Sequence, residues 1–352
     1  MTQRSGCDEP AVLPPPSPPP AKFLGVSIAG VGSYLPTSTI TNADLGQRVD
    51  TSDEWIVTRT GIRERRIAAP DQATSDLALH AAREALAQAR LSPADLDLII
   101  LATATPDTPV PPGSAWLHRH LGAVNAAAMD ISAACSGFLF AMHTGAGLVR
   151  AEMHRNVLVV GAETLTRITD YTDRATCILF GDGAGAAVIG QKGYLELLYS
   201  HIGTDSSGRD LITVPAGGSR EPASAATVEG KRHFLQLQGR EVFRRAVETM
   251  TRAGQAALDS LGMKVSDLAW LVPHQANLRI TQAVASQFDL PPERVVGDMS
   301  GTGNTSAASL PIALNRLQGS GRLKPGDRIM LVAFGAGLTW ACQVYENTGV
   351  PS

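Results

Sequence analysis

Arg83-Glu-Ala-Leu-Ala-Gln-Ala-Arg-Leu-Ser-Pro-Ala-Asp-Leu96 and Gln255-Ala-Ala-Leu-Asp-Ser-Leu-Gly-Met-Lys-Val-Ser-Asp-Leu268 align with one another, residue 95 falling on 267, an offset of 172. At the same offset Asn156-Val-Leu-Val-Val-Gly161 lies over Arg328-Ile-Met-Leu-Val-Ala333. Asp130-Ile-Ser132 resembles Asp298-Met-Ser300 at the nearby offset of 168. Three matches in one order at nearly one spacing predict a duplicated α/β unit, each half running strand, helix, strand. The uninterrupted apolar stretches, 95–105 and 156–163 among them, predict strands covered on both faces.

Composition sets the class. The chain has 352 residues, 44% of them hydrophobic, enough for a sizeable core. A net charge of −3 argues against a nucleic-acid footprint. The four cysteines (Cys7, Cys135, Cys177, Cys342) form no C-x-x-C pair, which fits a reducing compartment and argues against a disulfide framework or a zinc site. No apolar run reaches the roughly 18 residues of a membrane span, and the start lacks a signal-peptide pattern. Cytoplasm is the expected location, with no membrane partner. Residues 1–22 are rich in proline and predict a disordered or polyproline-like extension. The fold is expected to begin near Phe23, with one half over 23–194 and the other over 195–352.

Three features attract a functional reading and meet a plainer one. Residues 50–66 hold one tryptophan and four arginines, suited to phosphate and stacking or to a solvated loop. His118 and His120 sit at i, i+2 on an expected helix and diverge, which disfavours a metal pair. Gly181-x-Gly183-x-x-Ala186 superficially fits a dinucleotide fingerprint, but the stretch 178–190 reads as strand, glycine-rich turn, strand. Ser75 is expected to cap a helix that runs to Arg90.

Met129-Asp-Ile-Ser-Ala-Ala-Cys-Ser-Gly-Phe-Leu-Phe-Ala141 reads as a strand end, a turn of small residues and an apolar helix with Cys135 in its first turn. Packing explains most such cysteines, but a helix N-terminus favours thiolate and predicts a depressed pKa here. If a pseudo-twofold axis relates the halves, this turn faces the turn 298–306, and Thr105 and Asn277 lie near the same centre. Cys135, His274 and Asn304 then converge from three segments as nucleophile, histidine and orienting amide.

With Asp50-Thr-Ser-Asp-Glu-Trp-Ile-Val-Thr-Arg-Thr-Gly-Ile-Arg-Glu-Arg65, Ala134-Cys-Ser-Gly137, Phe180-Gly-Asp-Gly-Ala-Gly-Ala-Ala-Val188, Val272-Pro-His-Gln-Ala-Asn-Leu-Arg279 and Gly303-Asn-Thr-Ser-Ala-Ala-Ser309, the chain resembles the β-ketoacyl-[acyl-carrier-protein] synthase III family from about Phe23 to Val344. The resemblance implies a thiolase-like duplicated α/β fold in αβαβα layers. It also implies a decarboxylative condensation of acyl-CoA with malonyl-acyl-carrier protein, without a permanently bound cofactor or metal, in a homodimer. Cys135 becomes the acyl-accepting nucleophile, its own N–H and that of Ala336 the oxyanion hole, and His274 and Asn304 the decarboxylation pair. Trp55 and Arg174 are implied to sandwich the CoA adenine, with Arg59 near the phosphates and Asn277 on the CoA path. Phe334 and Val110 belong to the acyl pocket, Val110 across the dimer, where its small size implies a primer larger than acetyl. Arg279 is implied to meet the acidic carrier protein. Acyl transfer to an O, N or S acceptor without condensation, and a non-catalytic partner subunit, are the alternatives.

Overall fold

The computed structural model describes residues 25–349, so the Pro-rich extension and the start near Phe23 lie outside the described residues. Nine strands form the main sheet: β1 Ser27–Tyr34, β2 Leu98–Ala102, β3 Ala127–Ile131, β4 Val157–Glu163, β5 Gly183–Gly190, β6 Leu195–Thr204, β7 Trp270–Pro273, β8 Arg328–Gly335 and β9 Thr339–Asn347. Their order is β7-β8-β9-β6-β1-β5-β4-β2-β3. Sequence-early strands lie on one side and sequence-late strands on the other. The two groups meet where Ser27 and Ile28 pair with Glu196 and Leu195.

The duplication is real in three dimensions. β2 and β7 each form a parallel pair, with β4 and with β8. Short 3-10 turns at Pro93–Asp95 and Val265–Asp267 precede them, each closed by an aspartate that accepts a backbone N–H at 2.8 Å. A parallel bridge between Leu271 and Val295 is the late half's remnant of the β2–β3 pairing.

Strand alternation builds the layers, because successive side chains leave a strand on opposite faces. Ile100 and Ala102 of β2 enter a core shared with Leu331 and Ala333 of β8, into which helices Gly137–Arg150 and Ser309–Gly319 pack. Ile99 and Leu101 point the other way, onto helix Thr74–Ala89. Met330 and Val332 meet helices Gly239–Leu261 and Leu278–Gln287. Helix, sheet, helix, sheet, helix is the result, with the strands apolar throughout because both faces are covered. Helix Thr74–Ala89 presents alanines 78, 81, 82 and 85, and β1 answers with glycine: a Cβ on Gly32 would lie 2.3 Å from Ala81 O.

Some local expectations are corrected. Helix Thr74–Ala89 is entered through Ala73, and Ser75 lies inside it with its hydroxyl on Asp107 Oδ2 at 2.6 Å. The stretch 178–190 holds one strand, not two: it leaves helix Arg174–Cys177, makes a single bridge from Phe180 to Asn304, and forms β5 only from Gly183. Residues 50–66 are ordered structure, helix Asp53–Thr60 followed by strand Glu64–Ile67. Arg65 in that strand is 1% exposed, with Nε donating to Ile178 O at 3.0 Å and Nη1 bonding Asn42 Oδ1. It braces the fold and does not reach for phosphate. Among the described residues no helix is long and apolar enough to cross a membrane, and no group of three or more His, Cys, Asp or Glu is placed to hold a metal.

Candidate active site

Cys135 sits on the 3-10 turn Ala134–Ser136 that leads into helix Gly137–Arg150, two residues before the α-helix proper. Two hydroxyls clamp this turn to the β8–β9 connection. Ser136 Oγ donates to Thr339 O at 3.1 Å, and Thr339 Oγ1 donates to Ala133 O at 2.9 Å. Gly335 presses in so closely that a Cβ there would lie 2.8 Å from Cys135 N. The N–H groups of Cys135 and Ala336 donate to no backbone carbonyl among the described residues.

The electrostatics differ from the sequence expectation of a depressed cysteine pKa. Burial and the nearby Glu163 carboxylate push the thiol up to about 11, against hydrogen bonds from Ser306 and from Cys135's own N–H. Desolvation penalises a thiolate whose only helpers are neutral donors. The resting group is therefore a thiol, and a proton must leave it before sulfur attacks.

His274 follows β7, its N–H donating to Val332 O at 2.8 Å. Its Nδ1 lies 2.7 Å from Ser309 Oγ at the start of helix Ser309–Gly319, and its buried Nε2 has no protein partner among the described residues. Burial lowers its pKa to about 4, so the ring is neutral at pH 7. Asn304 is locked by its backbone: N–H to Leu179 O at 2.8 Å, and its carbonyl accepting from Gly181 N at 3.0 Å. Its Oδ1 accepts from Ser306 N at 2.8 Å, which leaves the side-chain NH2 for a ligand.

Cys135, His274 and Asn304 line one cavity of about 590 Å³, together with Asn277, Phe334 and Ala336. The remaining wall is mostly apolar, with Leu237, Val242 and Met250 representative. Asn277 also caps helix Leu278–Gln287, its Oδ1 accepting from Ile280 N at 3.0 Å. Trp55, Arg59, Arg174, Arg279 and Val110 are not on the lining. The Arg59 and Arg174 guanidinium carbons lie 4.6 and 4.9 Å from the Trp55 ring centre, and Arg174 Nη1 donates to Asp50 O at 2.9 Å. Arg174 precedes the lining residue Ala175 and Arg279 precedes Ile280, and both are exposed; Arg279 rests 5.7 Å from the Phe243 ring. Val110 is 86% exposed, away from this chain's own cavity.

Sequence reasoning passed over four contributors: Ser306 and Thr339, which hold the turns, Ser309, which orients His274, and Arg209, a cation on the lining. Ser306 and Ser309 lie inside a quoted motif, and motif membership was the available signal. Nothing local marks Thr339 or Arg209.

Residues 129–206 match the family model of 3-oxoacyl-[acyl-carrier-protein (ACP)] synthase III, and residues 258–347 match that of its C-terminal part. The beta-ketoacyl-[acyl-carrier-protein] synthase III of Caldanaerobacter subterraneus is 51% identical over 325 residues, 92% of this chain and 98% of the relative. The solved 3-oxoacyl-[acyl-carrier-protein] synthase III of Aquifex aeolicus superposes with a TM-score of 0.84 at 41% identity, covering 92% of this chain and all of that one. The priming beta-ketosynthase of the R1128 polyketide pathway reaches 0.84 at 38%, over 93% and 97% of the two chains. With its duplicated fold and its conjunction of cysteine, histidine and asparagine, the chain belongs to the β-ketoacyl-[acyl-carrier-protein] synthase III family of thiolase-fold acyltransferases.

Proposed function

We propose that this protein takes an acyl group from acyl-CoA onto Cys135 and condenses it with malonyl-acyl-carrier protein, giving a β-ketoacyl-carrier protein, CoA and CO2. The observation that carries this reading is the convergence of Cys135, His274 and Asn304 on one mostly apolar cavity beside the N–H groups of Cys135 and Ala336, neither of which donates to a backbone carbonyl among the described residues.

The chemistry follows from the groups available. Cys135 sulfur attacks the thioester carbonyl, and the oxyanion forms against the N–H groups of Cys135 and Ala336, a donor of this kind being worth about 3–4 kcal/mol. CoA leaves, and the acyl chain stays on sulfur with its tail against the apolar wall. Malonyl thioester then enters with its carbonyl oxygen between His274 Nε2 and Asn304 Nδ2. With Ser309 donating to Nδ1, the ring proton stands on Nε2, and two neutral donors stabilise the enolate as CO2 departs. The enolate carbon attacks the acyl-Cys135 carbonyl and expels the sulfur.

Around the mouth, Trp55 and Arg174 receive the adenine, Arg59 faces the phosphates and Asn277 the CoA arm. Arg174 stacks directly on Trp55, so an entering purine parts the two and replaces one ring contact with another. Arg279 offers its charge to the acidic carrier protein. In a homodimer the exposed Val110 meets the partner's acyl pocket, where its small side chain leaves room for a primer larger than acetyl.

Intact-protein mass spectrometry tests the reading. Exposure to a panel of acyl-CoAs should add one acyl group, absent in C135A, and malonyl-carrier protein should remove it with release of CO2. Acylation surviving in C135A refutes the nucleophile. Transfer to an acceptor without CO2 turns the reading to simple acyl transfer, and binding of carrier protein with no acylation turns it to a non-catalytic subunit.

A further inference from the structure

The N–H of Ala336 can meet an oxyanion only while the connection between β8 and β9, residues 336–338, keeps its shape. One side of this connection is clasped to the Cys135 turn through Thr339 and Ser136. The other side is held by Asp205, the residue after β6. Asp205 N donates to Leu338 O, and Leu338 N donates to Asp205 O, both at 2.8 Å. The two bonds extend the β6–β9 ladder one step past the Thr204–Thr339 pair. Leu338 is buried, and Gly208 packs on it with no room for a Cβ.

The Asp205 backbone does this holding, and its side chain reaches elsewhere. The residue is 7% exposed, where a carboxylate is costly unless paired. Its Oδ1 accepts from Ser207 N at 3.0 Å and closes the 3-10 turn Ser206–Gly208, and its Oδ2 accepts from Arg245 Nη1 at 3.0 Å. Arg245 Nη1 also lies 3.2 Å from Ser207 Oγ, and its Nε donates to Glu241 Oε1 at 2.9 Å. Arg245 stands on helix Gly239–Leu261, whose Val242, Ala246 and Met250 line the cavity. The ion pair therefore ties a wall of the cavity to the residue that grips the Ala336 connection. A neutral side chain could close the turn by itself. The charge adds a strong bond to a separate, rigid element.

We infer that Asp205 and Arg245 are a positioning pair for the oxyanion donor: they hold Leu338, and through it the Ala336 N–H, in place for the thioester carbonyl. This rests on the reading of Cys135 as nucleophile and Ala336 as donor. Neither side chain touches a reacting atom. A fixed donor accelerates because nothing must rearrange as charge develops on the oxygen, so a connection free to shift loses that advantage even with its N–H intact.

The test compares two reactions of Cys135 in the full-length protein. Single-turnover acylation by an acyl-CoA passes through an oxyanion, whereas alkylation by iodoacetamide is a displacement at saturated carbon and forms none. D205N and R245M should each slow acylation by about 10- to 10²-fold and leave alkylation within about twofold of wild type, since a misplaced donor costs the former reaction alone. The double variant should be no slower than the slower single one, because the two side chains act as a unit. Wild-type acylation in either single variant overturns the inference. Equal slowing of both reactions overturns it too, because the pair then positions the cysteine or the fold at large. D205N decides if R245M does not fold, since asparagine can still accept from Ser207 N. A wild type that is alkylated but never acylated refutes the proposed function, whereas normal wild-type acylation with unslowed variants overturns this inference alone.

Discussion

Ala134 and Ser306 are the same residue of the duplicated unit. They lie 172 positions apart, each opens a 3-10 turn, and each has a positive φ, 46° and 48°. A left-handed non-glycine residue costs roughly 1–2 kcal/mol, and here it is present in both copies. The helices that follow begin at Gly137 and Ser309, again 172 apart. The copies have diverged in what this shared turn carries. The early turn presents Cys135 next to Ala134. The late turn has Ala307 there, and supplies instead Ser306, Asn304 and the Ser309 that orients His274.

Replacement of Gly335 by alanine should abolish acylation of Cys135 by about 10²-fold or more while the protein stays folded. The new Cβ would lie 2.8 Å from Cys135 N and 3.0 Å from Ser136 N, so it obstructs the N–H meant for the oxyanion. Single-turnover acylation followed by mass, beside a thermal melt, separates the two effects.

Arg65→Met should destabilise the protein by about 3 kcal/mol or more, because it strands buried acceptors on Asn42 and at Ile178 O. The same segment's Arg59 is exposed, and R59M should change stability by less than about 0.5 kcal/mol. Urea midpoints with unchanged slopes check both.

Stability should fall on acidification in part through His274. Its folded pKa, about 4, lies below the ordinary 6.5, so protons bind the unfolded chain more tightly. The contribution is full above pH 6.5 and is lost as pH drops through 6.5 towards 4. Denaturation free energies of H274N across that window should lose this part of the wild-type slope.

Truncating the stack at the mouth should act on binding. W55A and R174A should each raise KM for acyl-CoA about two- to fivefold with kcat nearly unchanged, since a cation–π or stacking contact is worth about 0.5–1 kcal/mol and neither residue lines the cavity that holds the sulfur. A fall in kcat at fixed KM would remove these residues from the CoA site.

Much of this architecture was legible in the chain. Repeats, apolar runs and punctuation are local, so the offset of 172 disclosed the duplicated unit, and residues 98–102 and 157–163 announced strands covered on both sides. Cys135, His274 and Asn304 were legible as candidates through their turns and motifs. What a side chain experiences was not. Arg65 looks like one more surface cation until strand Glu64–Ile67 carries it under residue 178, 113 positions away. The helix start behind Cys135 argues for a thiolate, whereas burial and Glu163 argue more strongly for a thiol. Cys135 and Ser306 line one cavity only because the late half folds back on the early one. The sequence by itself thus determined the elements, the repeat and the residue types available for chemistry. The tertiary structure alone decided which of them share one cavity, because desolvation and charge act through space between segments that sequence keeps far apart.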